Sequence, residues 1–222
     1  MQTAPDTEII ALDSQTLRVR KTTDPPSGSR ILLLIHGFTG DENSMWVFTR
    51  ELPSYYWIVA PRAPYVAEAG GYSWRPNQTS ELGLSRFEEL QASAEALMHL
   101  IDAYRASAGI ETDAFDVMGF SQGAAMSSLL AFLYPDRVGK LGILAGFVPS
   151  GLDALAEQRP LEGKPVFVAH GTRDETVPIE RARASIRILE KAGARVTYCE
   201  DDVGHKLSIA CLHALKKFFA GS

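Results

Sequence analysis

The segment that most constrains the fold runs from Phe115 to Ala125 and reads FDVMGFSQGAA. Its first residues are apolar and typical of a buried strand, and its last residues are suited to the start of a helix. Between them, Gly119 and Gly123 flank Ser121 in a G-x-S-x-G pattern. A helix that leaves a strand so sharply brings backbone against backbone, so side chains at the two flanking positions would collide. The pattern predicts a tight strand–turn–helix unit with an exposed serine hydroxyl.

The remainder of the chain alternates predicted strands with predicted helices. Apolar runs predict strands at 31–35, 57–60, 141–145, 165–169 and 196–199, and residues 8–22 predict a hairpin at the sheet edge. Helical patterns span 85–107, 122–133, 178–192 and 206–219, with short helices after Ser44 through Leu52 and near 152–158. This alternation predicts one α/β domain over residues 1–222 with a mostly parallel sheet, helices on both faces and a flexible N-terminus at 1–7. A long polar loop at 61–82 interrupts it, and loops of that length are usually functional or mobile.

Composition excludes several classes of function. The 222 residues carry a formal net charge of −5 and no basic cluster, so neither a nucleic-acid partner nor an anionic membrane surface is expected. No apolar run approaches the ~20 residues of a membrane span, and the N-terminus does not resemble a signal peptide. Cys199 and Cys211 are far apart and lack metal-ligand spacing. We expect two reduced, partly buried thiols in a cytoplasmic protein.

Residues capable of catalysis follow successive predicted strands. Ser121 follows one strand, Asp174 follows the strand at 165–169, and His205 follows the strand at 196–199. Parallel strands place their carboxyl ends at one edge of a sheet, so these side chains should meet there. The chain order serine, acid, histidine is that of α/β hydrolases. His205 would remove the serine proton during attack, and Asp174 would hold the second ring nitrogen of His205.

Other acids and histidines compete for these roles. Glu175 and the pair Asp201-Asp202 are the rival acids, and we interpret them as solvated loop charges. His99 lies beside the apolar face of the helix at 85–107 and is interpreted as structural or exposed. His36 and His170 each precede a glycine at a strand end. No third ligand accompanies these two histidines, so we interpret them as hydrogen-bonded scaffold and expect no metal site.

A serine nucleophile also needs two N–H donors for the oxyanion. The backbone N–H of Gln122, directly after Ser121 and at a helix N-terminus, is the first candidate. The backbone N–H of Phe38, in the loop after the strand at 31–35, is the second.

The motifs His36-Gly37-Phe38, Gly119–Ala124, His170–Asp174 with Val177-Pro178, and Gly204-His205 resemble the phospholipase/carboxylesterase family. The resemblance covers about residues 30–218 of the sequence. This family comprises small α/β hydrolases, among them carboxylesterases, lysophospholipases and acyl-protein thioesterases. The resemblance implies an α/β-hydrolase fold, catalysis by Ser121, Asp174 and His205, and no metal or organic cofactor. Because family members often dimerise, it also implies a homodimer. The short connections between the predicted elements leave no room for a large lid.

One loop departs from the family pattern. Relatives commonly carry a tryptophan followed by an aromatic and an acidic residue, whereas this chain has Trp74-Arg75-Pro76. Trp74 and Phe147 are expected to line the substrate pocket. Arg75 is expected to point to solvent, with recognition of a substrate carboxylate or phosphate as the alternative.

These observations predict hydrolysis of carboxylic esters or thioesters with small or medium acyl chains through an acyl-enzyme intermediate. A dienelactone-hydrolase-like enzyme is one alternative, although that branch normally has cysteine at the position of Ser121. A peptidase of the same fold is another, although that branch usually carries an additional domain. A catalytically silent binding module is the alternative from outside enzymology.

Overall fold

The computed structural model describes residues 7–22, 29–50, 52–76 and 85–221. Within these ranges, eight strands form one sheet: β1 (Thr7–Leu12), β2 (Gln15–Arg20), β3 (Arg30–Ile35), β4 (Tyr56–Pro61), β7 (Phe115–Phe120), β8 (Val138–Leu144), β9 (Pro165–Gly171) and β10 (Arg195–Asp201). Their order in the sheet is β1-β2-β4-β3-β7-β8-β9-β10. β1 pairs antiparallel with β2 and β2 with β4, while every other neighbouring pair is parallel. The predicted edge hairpin and mostly parallel sheet are confirmed.

Helices cover both faces of this sheet. Alternate residues of β3 enter two separate hydrophobic clusters, because successive side chains of a strand point to opposite faces. One face is covered by α1 (Phe87–Ala108), α2 (Gln122–Leu133), α3 (Asp153–Glu157) and α4 (Ile179–Lys191). The other face is covered by α5 (Ile209–Ala220) and a 3-10 helix at Ser44–Phe48. Burial on both faces explains why the central strands read as continuous apolar runs.

Several boundaries differ from the sequence predictions. Helix α5 begins at Ile209, three residues later than expected, because the Ser208 hydroxyl accepts the N–H of Cys211 and caps the helix there. The segment after Ser44 forms one 3-10 turn that ends at Phe48 and does not continue to Leu52.

The loop predicted at 61–82 contains a small antiparallel hairpin, β5 (Tyr65–Val66) and β6 (Tyr72–Ser73). Its residues from 77 onward lie outside the described residues. So do residues 1–6 of the predicted flexible N-terminus, whereas Thr7 already pairs with Arg20. Across the four described ranges there is no lid domain, and none of their helices is long and apolar enough to cross a membrane.

A buried carboxylate ties four strands together at the amino end of β7. Asp116 is 1% exposed, and its Oδ1 accepts the backbone N–H of Lys140 at 2.8 Å and contacts Nη1 of Arg30 at 3.1 Å. The Tyr56 hydroxyl donates to Oδ2 at 2.5 Å. Burial and the neighbouring Asp116 charge raise the pKa of Tyr56, so the phenol stays protonated and acts as the donor.

Replacing Asp116 with alanine is expected to lower the free energy of unfolding by about 3 kcal/mol, because buried donors lose their acceptor. Urea unfolding measures this loss. Asp113→Ala is the matched control, since Asp113 forms an exposed ion pair with Arg105 that is worth about 1 kcal/mol or less. Equal losses in the two variants would contradict a stabilising role for the buried carboxylate.

Candidate active site

Ser121 occupies a strained turn between β7 and α2. Its backbone has φ 54° and ψ −116°, a conformation that residues other than glycine rarely adopt. The two flanking glycines leave room for this turn. A Cβ atom on Gly119 would lie 2.0 Å from the carbonyl oxygen of Gly123, and one on Gly123 would lie 2.0 Å from that of Ile35. The steric argument made for these glycines is confirmed.

Asp174 lies just beyond β9 and is 6% exposed. Its Oδ1 accepts the backbone N–H groups of Thr176 at 2.9 Å and Val177 at 2.8 Å. These two bonds fix the carboxyl group and direct Oδ2 towards His205, whose Nδ1 lies 2.7 Å away.

His205 lies in the loop between β10 and α5, with its side chain 25% exposed. An ionised carboxylate only accepts hydrogen bonds, so Nδ1 of His205 carries the hydrogen and Nε2 is left to take a proton. The centroid of its ring lies 4.9 Å from the centroid of the Phe120 ring. His205 and Ser121 line the same cavity. The structure thus brings Ser121, Asp174 and His205 to the carboxyl edge of the sheet, although their catalytic roles stay predictions.

The rival acids lie in the surrounding loops. Glu175 is exposed, and Asp202 is exposed and paired with Arg173. Asp201 is half-buried, and its Oδ1 accepts the backbone N–H of Asp202 at 2.8 Å. The interpretation of Glu175 and Asp202 as solvated charges is confirmed, and His99 is exposed on α1 as expected.

His36 and His170 are buried and hydrogen-bonded to backbone. Nδ1 of His36 donates to the carbonyl of Gly37 at 2.7 Å, and its Nε2 accepts the N–H of Ala63 at 3.1 Å. Nε2 of His170 donates to the carbonyl of Val177 at 2.8 Å. Burial lowers the pKa of both imidazoles. Their interpretation as scaffold is confirmed, and no group of three or more His, Cys, Asp or Glu in the described ranges could hold a metal ion.

The lowered pKa values of His36 and His170 predict that the free energy of unfolding falls in acid. Their folded-state pKa values lie below the unfolded value of about 6.5, so the unfolded chain binds more protons as the pH falls through that range. Their contribution is complete above about pH 6.5 and is lost below it. Urea titrations should therefore give a lower free energy of unfolding at about pH 5.5 than at about pH 7.5, with a smaller difference in His170→Gln. A free energy that does not change over this interval would contradict the prediction.

The predicted oxyanion donors lie beside the nucleophile. Gln122 is the first residue of α2, and Phe38 lies in the loop after β3. Phe38, Ser121 and Gln122 line one small cavity together. The arrangement is compatible with two N–H groups that face a developing oxyanion, and the donor roles stay predictions.

The side chain of Gln122 has a second task that the sequence analysis missed. Its Oε1 accepts the backbone N–H of Trp74 at 3.0 Å, and its Nε2 donates to Oγ of Ser73 at 3.3 Å. These bonds join the nucleophile turn to the loop after β6. No local pattern reveals this contact, because it depends on how a distant loop folds back.

The two residues predicted to bind substrate differ in position. Trp74 is 1% exposed, and its indole N–H donates to the carbonyl of His36 at 2.8 Å. It is absent from the described lining of both cavities beside Ser121, so its role in substrate binding stays a prediction. Phe147 does line the small cavity, and the guanidinium of Arg181 lies 4.7 Å from its ring centroid.

Ser121 and Phe38 both line two cavities of very different size. The large cavity has a volume of about 620 Å³ and is lined mainly by apolar residues, among them Met45, Val47, Phe48, Phe120, Leu207 and Leu212. His205 lines this cavity as well. The small cavity has a volume of about 10 Å³ and is lined by Phe38, Arg75, Ser85, Ser121, Gln122, Phe147, Thr176 and Val177.

Arg75 is 3% exposed, so the expectation that it points to solvent is wrong. The Ser73 hydroxyl explains its inward course, because Oγ accepts the N–H of Arg75 at 3.2 Å and donates to its carbonyl at 3.0 Å. Nη1 of Arg75 lies 3.4 Å from Oε2 of Glu89 on α1. The side chain of Arg75 is therefore buried, and Arg75 lines the small cavity together with Ser121.

The sequence profile of the phospholipase/carboxylesterase family matches residues 16–221. The chain belongs to this family. The motif-based resemblance is thereby confirmed, and the family description names enzymes that act on ester bonds.

Curated relatives within the phospholipase/carboxylesterase family include esterases and thioesterases. "Carboxylesterase SOBER1" of Arabidopsis thaliana is 28% identical over 173 residues, which are 75% of this chain and 72% of that protein. "Acyl-protein thioesterase 1" of Debaryomyces hansenii is 28% identical over 199 residues, 80% of this chain and 82% of that protein. The chain spans only 62% of "Probable carboxylesterase SOBER1-like" of Arabidopsis thaliana, to which it is 27% identical. One rice relative, 25% identical, is named "Probable inactive carboxylesterase".

Solved structures confirm the α/β-hydrolase fold. The Bacillus cereus carboxylesterase superposes with a TM-score of 0.81 at 22% identity, covering 94% of this chain and 95% of that one. The Mesorhizobium loti carboxylesterase gives a TM-score of 0.80 at 20% identity, covering 97% and 99%. At such identities the likeness establishes the fold alone.

In this phospholipase/carboxylesterase family member, Cys199 and Cys211 form a disulfide. The expectation of two reduced thiols is wrong. The cysteines are 12 residues apart, but the loop reverses direction so that α5 packs beside β10 and their Cα atoms lie 5.6 Å apart. The closed segment contains His205, so the disulfide braces the loop that carries the predicted base.

Proposed function

We propose that this protein is a serine hydrolase that cleaves carboxylic esters or thioesters with small or medium acyl chains. The observation that carries the proposal is the 2.7 Å contact between Asp174 Oδ2 and His205 Nδ1, with Ser121 on the wall of the same cavity. Membership of an ester-cleaving family supports the same reaction type.

The reaction assigns one task to each residue. Oγ of Ser121 attacks the acyl carbon while Nε2 of His205 takes its proton, and Asp174 stabilises the imidazolium that results. The backbone N–H groups of Phe38 and Gln122 stabilise the oxyanion. His205 then gives the proton to the departing alcohol or thiol, which leaves an acyl ester on Ser121. Water activated by His205 cleaves that ester and regenerates the enzyme.

Replacing Ser121 with alanine is expected to lower the turnover of p-nitrophenyl butyrate by at least ~1,000-fold, because no acyl-enzyme can form. Ser107→Ala is the matched control, since Ser107 lies on α1 and bonds the carbonyl of Tyr104. Equal turnover by wild type and Ser121→Ala would show that Ser121 is not the nucleophile.

The same assay separates the alternatives. Faster turnover of lactones than of p-nitrophenyl butyrate would favour the dienelactone-hydrolase-like enzyme, and faster turnover of aminoacyl substrates would favour the peptidase. The relative named as inactive makes the silent binding module worth testing. A wild-type protein that turns over none of these substrates would support it.

We further propose a homodimer, which light scattering on the purified protein tests. A cytoplasmic location is a further proposal. The disulfide does not support it, because disulfides are typical of oxidising compartments. Imaging of a fluorescent fusion tests the location.

A further inference from the structure

The loop Gly37–Gly40, which carries the predicted oxyanion donor Phe38, contains a strained residue. Thr39, directly after Phe38, has φ 65°, a value that residues other than glycine rarely adopt. Such a backbone conformation persists only where the surrounding structure holds it in place. The direction of the Phe38 N–H therefore depends on the residues that pack around this loop.

The β5–β6 hairpin holds the loop from one side. The carbonyl of Tyr72 accepts the N–H of Thr39 at 3.0 Å, and the N–H of Tyr72 donates to the carbonyl of Gly40 at 2.9 Å. Gly71 permits this approach, because a Cβ atom there would lie 1.9 Å from the carbonyl oxygen of Thr39. The hairpin thus fixes both loop residues that follow Phe38.

Arg62, the residue after β4, connects this hairpin to the segment beyond the loop. Its Nε and Nη2 each donate to the carboxylate of Glu42 at 2.7 Å, and its guanidinium carbon lies 4.7 Å from the centroid of the Tyr72 ring. Glu42 is 2% exposed, and the hydrogen bonds from Arg62 lower the pKa of its carboxyl group, which stays ionised. One guanidinium therefore contacts the residue that bonds the loop and a residue two positions after Gly40.

The start of the loop is tied to the same corner of the chain. The backbone N–H of Ala63 donates to Nε2 of His36 at 3.1 Å, and His36 directly precedes the loop. The pair Arg62-Ala63 thus bonds the chain on both sides of Gly37–Gly40. Arg62 itself lines neither of the two described cavities beside Ser121, so any effect it has on catalysis must pass through the loop.

We propose that Arg62 is a positioning residue for the oxyanion hole. Through Glu42 and Tyr72 it holds the loop Gly37–Gly40 so that the N–H of Phe38 faces the oxygen on which negative charge develops. The inference rests on the proposed esterase function and adds a residue that contacts neither the substrate nor the nucleophile. Because the held N–H acts on charge that forms only in the transition state, the loss of Arg62 should lower kcat and leave KM nearly unchanged.

The first test is Arg62→Lys, which keeps the charge but loses the two parallel hydrogen bonds and the stacking on Tyr72. For p-nitrophenyl butyrate we expect kcat to fall about 10- to 100-fold, less than the loss of a whole oxyanion donor, with KM within about twofold of wild type. A fall in kcat/KM that comes from KM alone would overturn the positioning role.

Arg137→Lys is the matched control. Arg137 is also half-buried, and it bonds Asp102 and the carbonyl of Asp113, but it lies at the amino end of β8, at the sheet edge opposite the site. Urea unfolding should show that both variants lose stability, whereas only Arg62→Lys should lose kcat. Equal losses of kcat in the two variants would show that Arg62 merely stabilises the fold.

A second measurement reads the oxyanion hole directly. When a trifluoromethyl ketone inhibits a serine hydrolase, Oγ of Ser121 would add to the ketone carbon, its proton would pass to His205, and the ketone oxygen would become an oxyanion. Inhibition by 1,1,1-trifluoro-2-heptanone should weaken about 10-fold in Arg62→Lys, whereas weak competition by 2-heptanone, which stays a neutral ketone, should not change. Gly71→Ala, which forces the hairpin away from Thr39, should give the same pattern.

These measurements separate the two proposals. If wild type hydrolyses esters and both variants bind the trifluoromethyl ketone as tightly as wild type does, the positioning role is wrong and the esterase proposal stands. If wild type hydrolyses no ester and the trifluoromethyl ketone does not bind, the proposed function itself fails, and the role of Arg62 fails with it.

Discussion

Replacing Asp174 with asparagine is expected to lower kcat about 10,000-fold without unfolding the protein. Oδ1 of Asp174 accepts two backbone N–H groups, from Thr176 and Val177. In the variant these donors would hold the amide oxygen in the same place, so the amide NH₂ group would face His205. The ring would then accept at Nδ1 and carry its hydrogen on Nε2, where it cannot take a proton from Ser121.

Turnover of p-nitrophenyl butyrate at saturation measures this effect, and urea unfolding checks that the variant is folded. Asp202→Asn is the matched control, because it changes an exposed acid on the neighbouring loop that pairs with Arg173. We expect the control to stay within about threefold of wild type, as a solvated charge does. Comparable losses in the two variants would contradict the assignment of Asp174.

Removing the disulfide is expected to lower both stability and activity. The bond between Cys199 and Cys211 closes a loop of 13 residues, since the two cysteines are 12 positions apart. A disulfide that closes a loop of this size raises the free energy of unfolding by about 3 kcal/mol. His205 lies within the closed segment, so its loop gains freedom when the bond is broken. Since Asp174 and His205 must stay within hydrogen-bond distance for catalysis, kcat should fall by about 3- to 10-fold.

The double variant Cys199→Ala/Cys211→Ala, measured by urea unfolding and by ester turnover, tests this expectation. Dithiothreitol should reproduce both losses in wild type and have no further effect on the double variant. A thiol titration in denaturant should find no free thiol in the untreated protein. Two free thiols, or a wild type that dithiothreitol leaves unchanged, would contradict the disulfide's role.

The parts of the site that depend on local geometry could be predicted from the sequence. Gly119 and Gly123 flank Ser121 because any Cβ there would overlap a neighbouring backbone oxygen. The five residues from Gly119 to Gly123 therefore suffice to predict the turn. Asp174 and His205 could be assigned to the site because each directly follows a predicted strand, and the carboxyl ends of parallel strands lie at one edge of the sheet.

The remainder depends on chain reversals that have no local pattern. The disulfide requires α5 to fold back along β10, and a spacing of 12 residues does not reveal that reversal. Arg75 faces inward because Ser73 bonds its backbone on both sides, whereas an arginine in a polar loop usually points to solvent. The side chain of Gln122 contacts a loop about 50 residues away in sequence.

The central claim is that Ser121 is the nucleophile of a serine hydrolase. Incubation with a fluorophosphonate probe, followed by mass mapping of the digested protein, tests it directly, because the probe labels serines that a neighbouring base activates. We predict one adduct, on Ser121, in wild type and none in Ser121→Ala. An unlabelled Ser121, or an adduct on another serine that persists in the alanine variant, would contradict the claim.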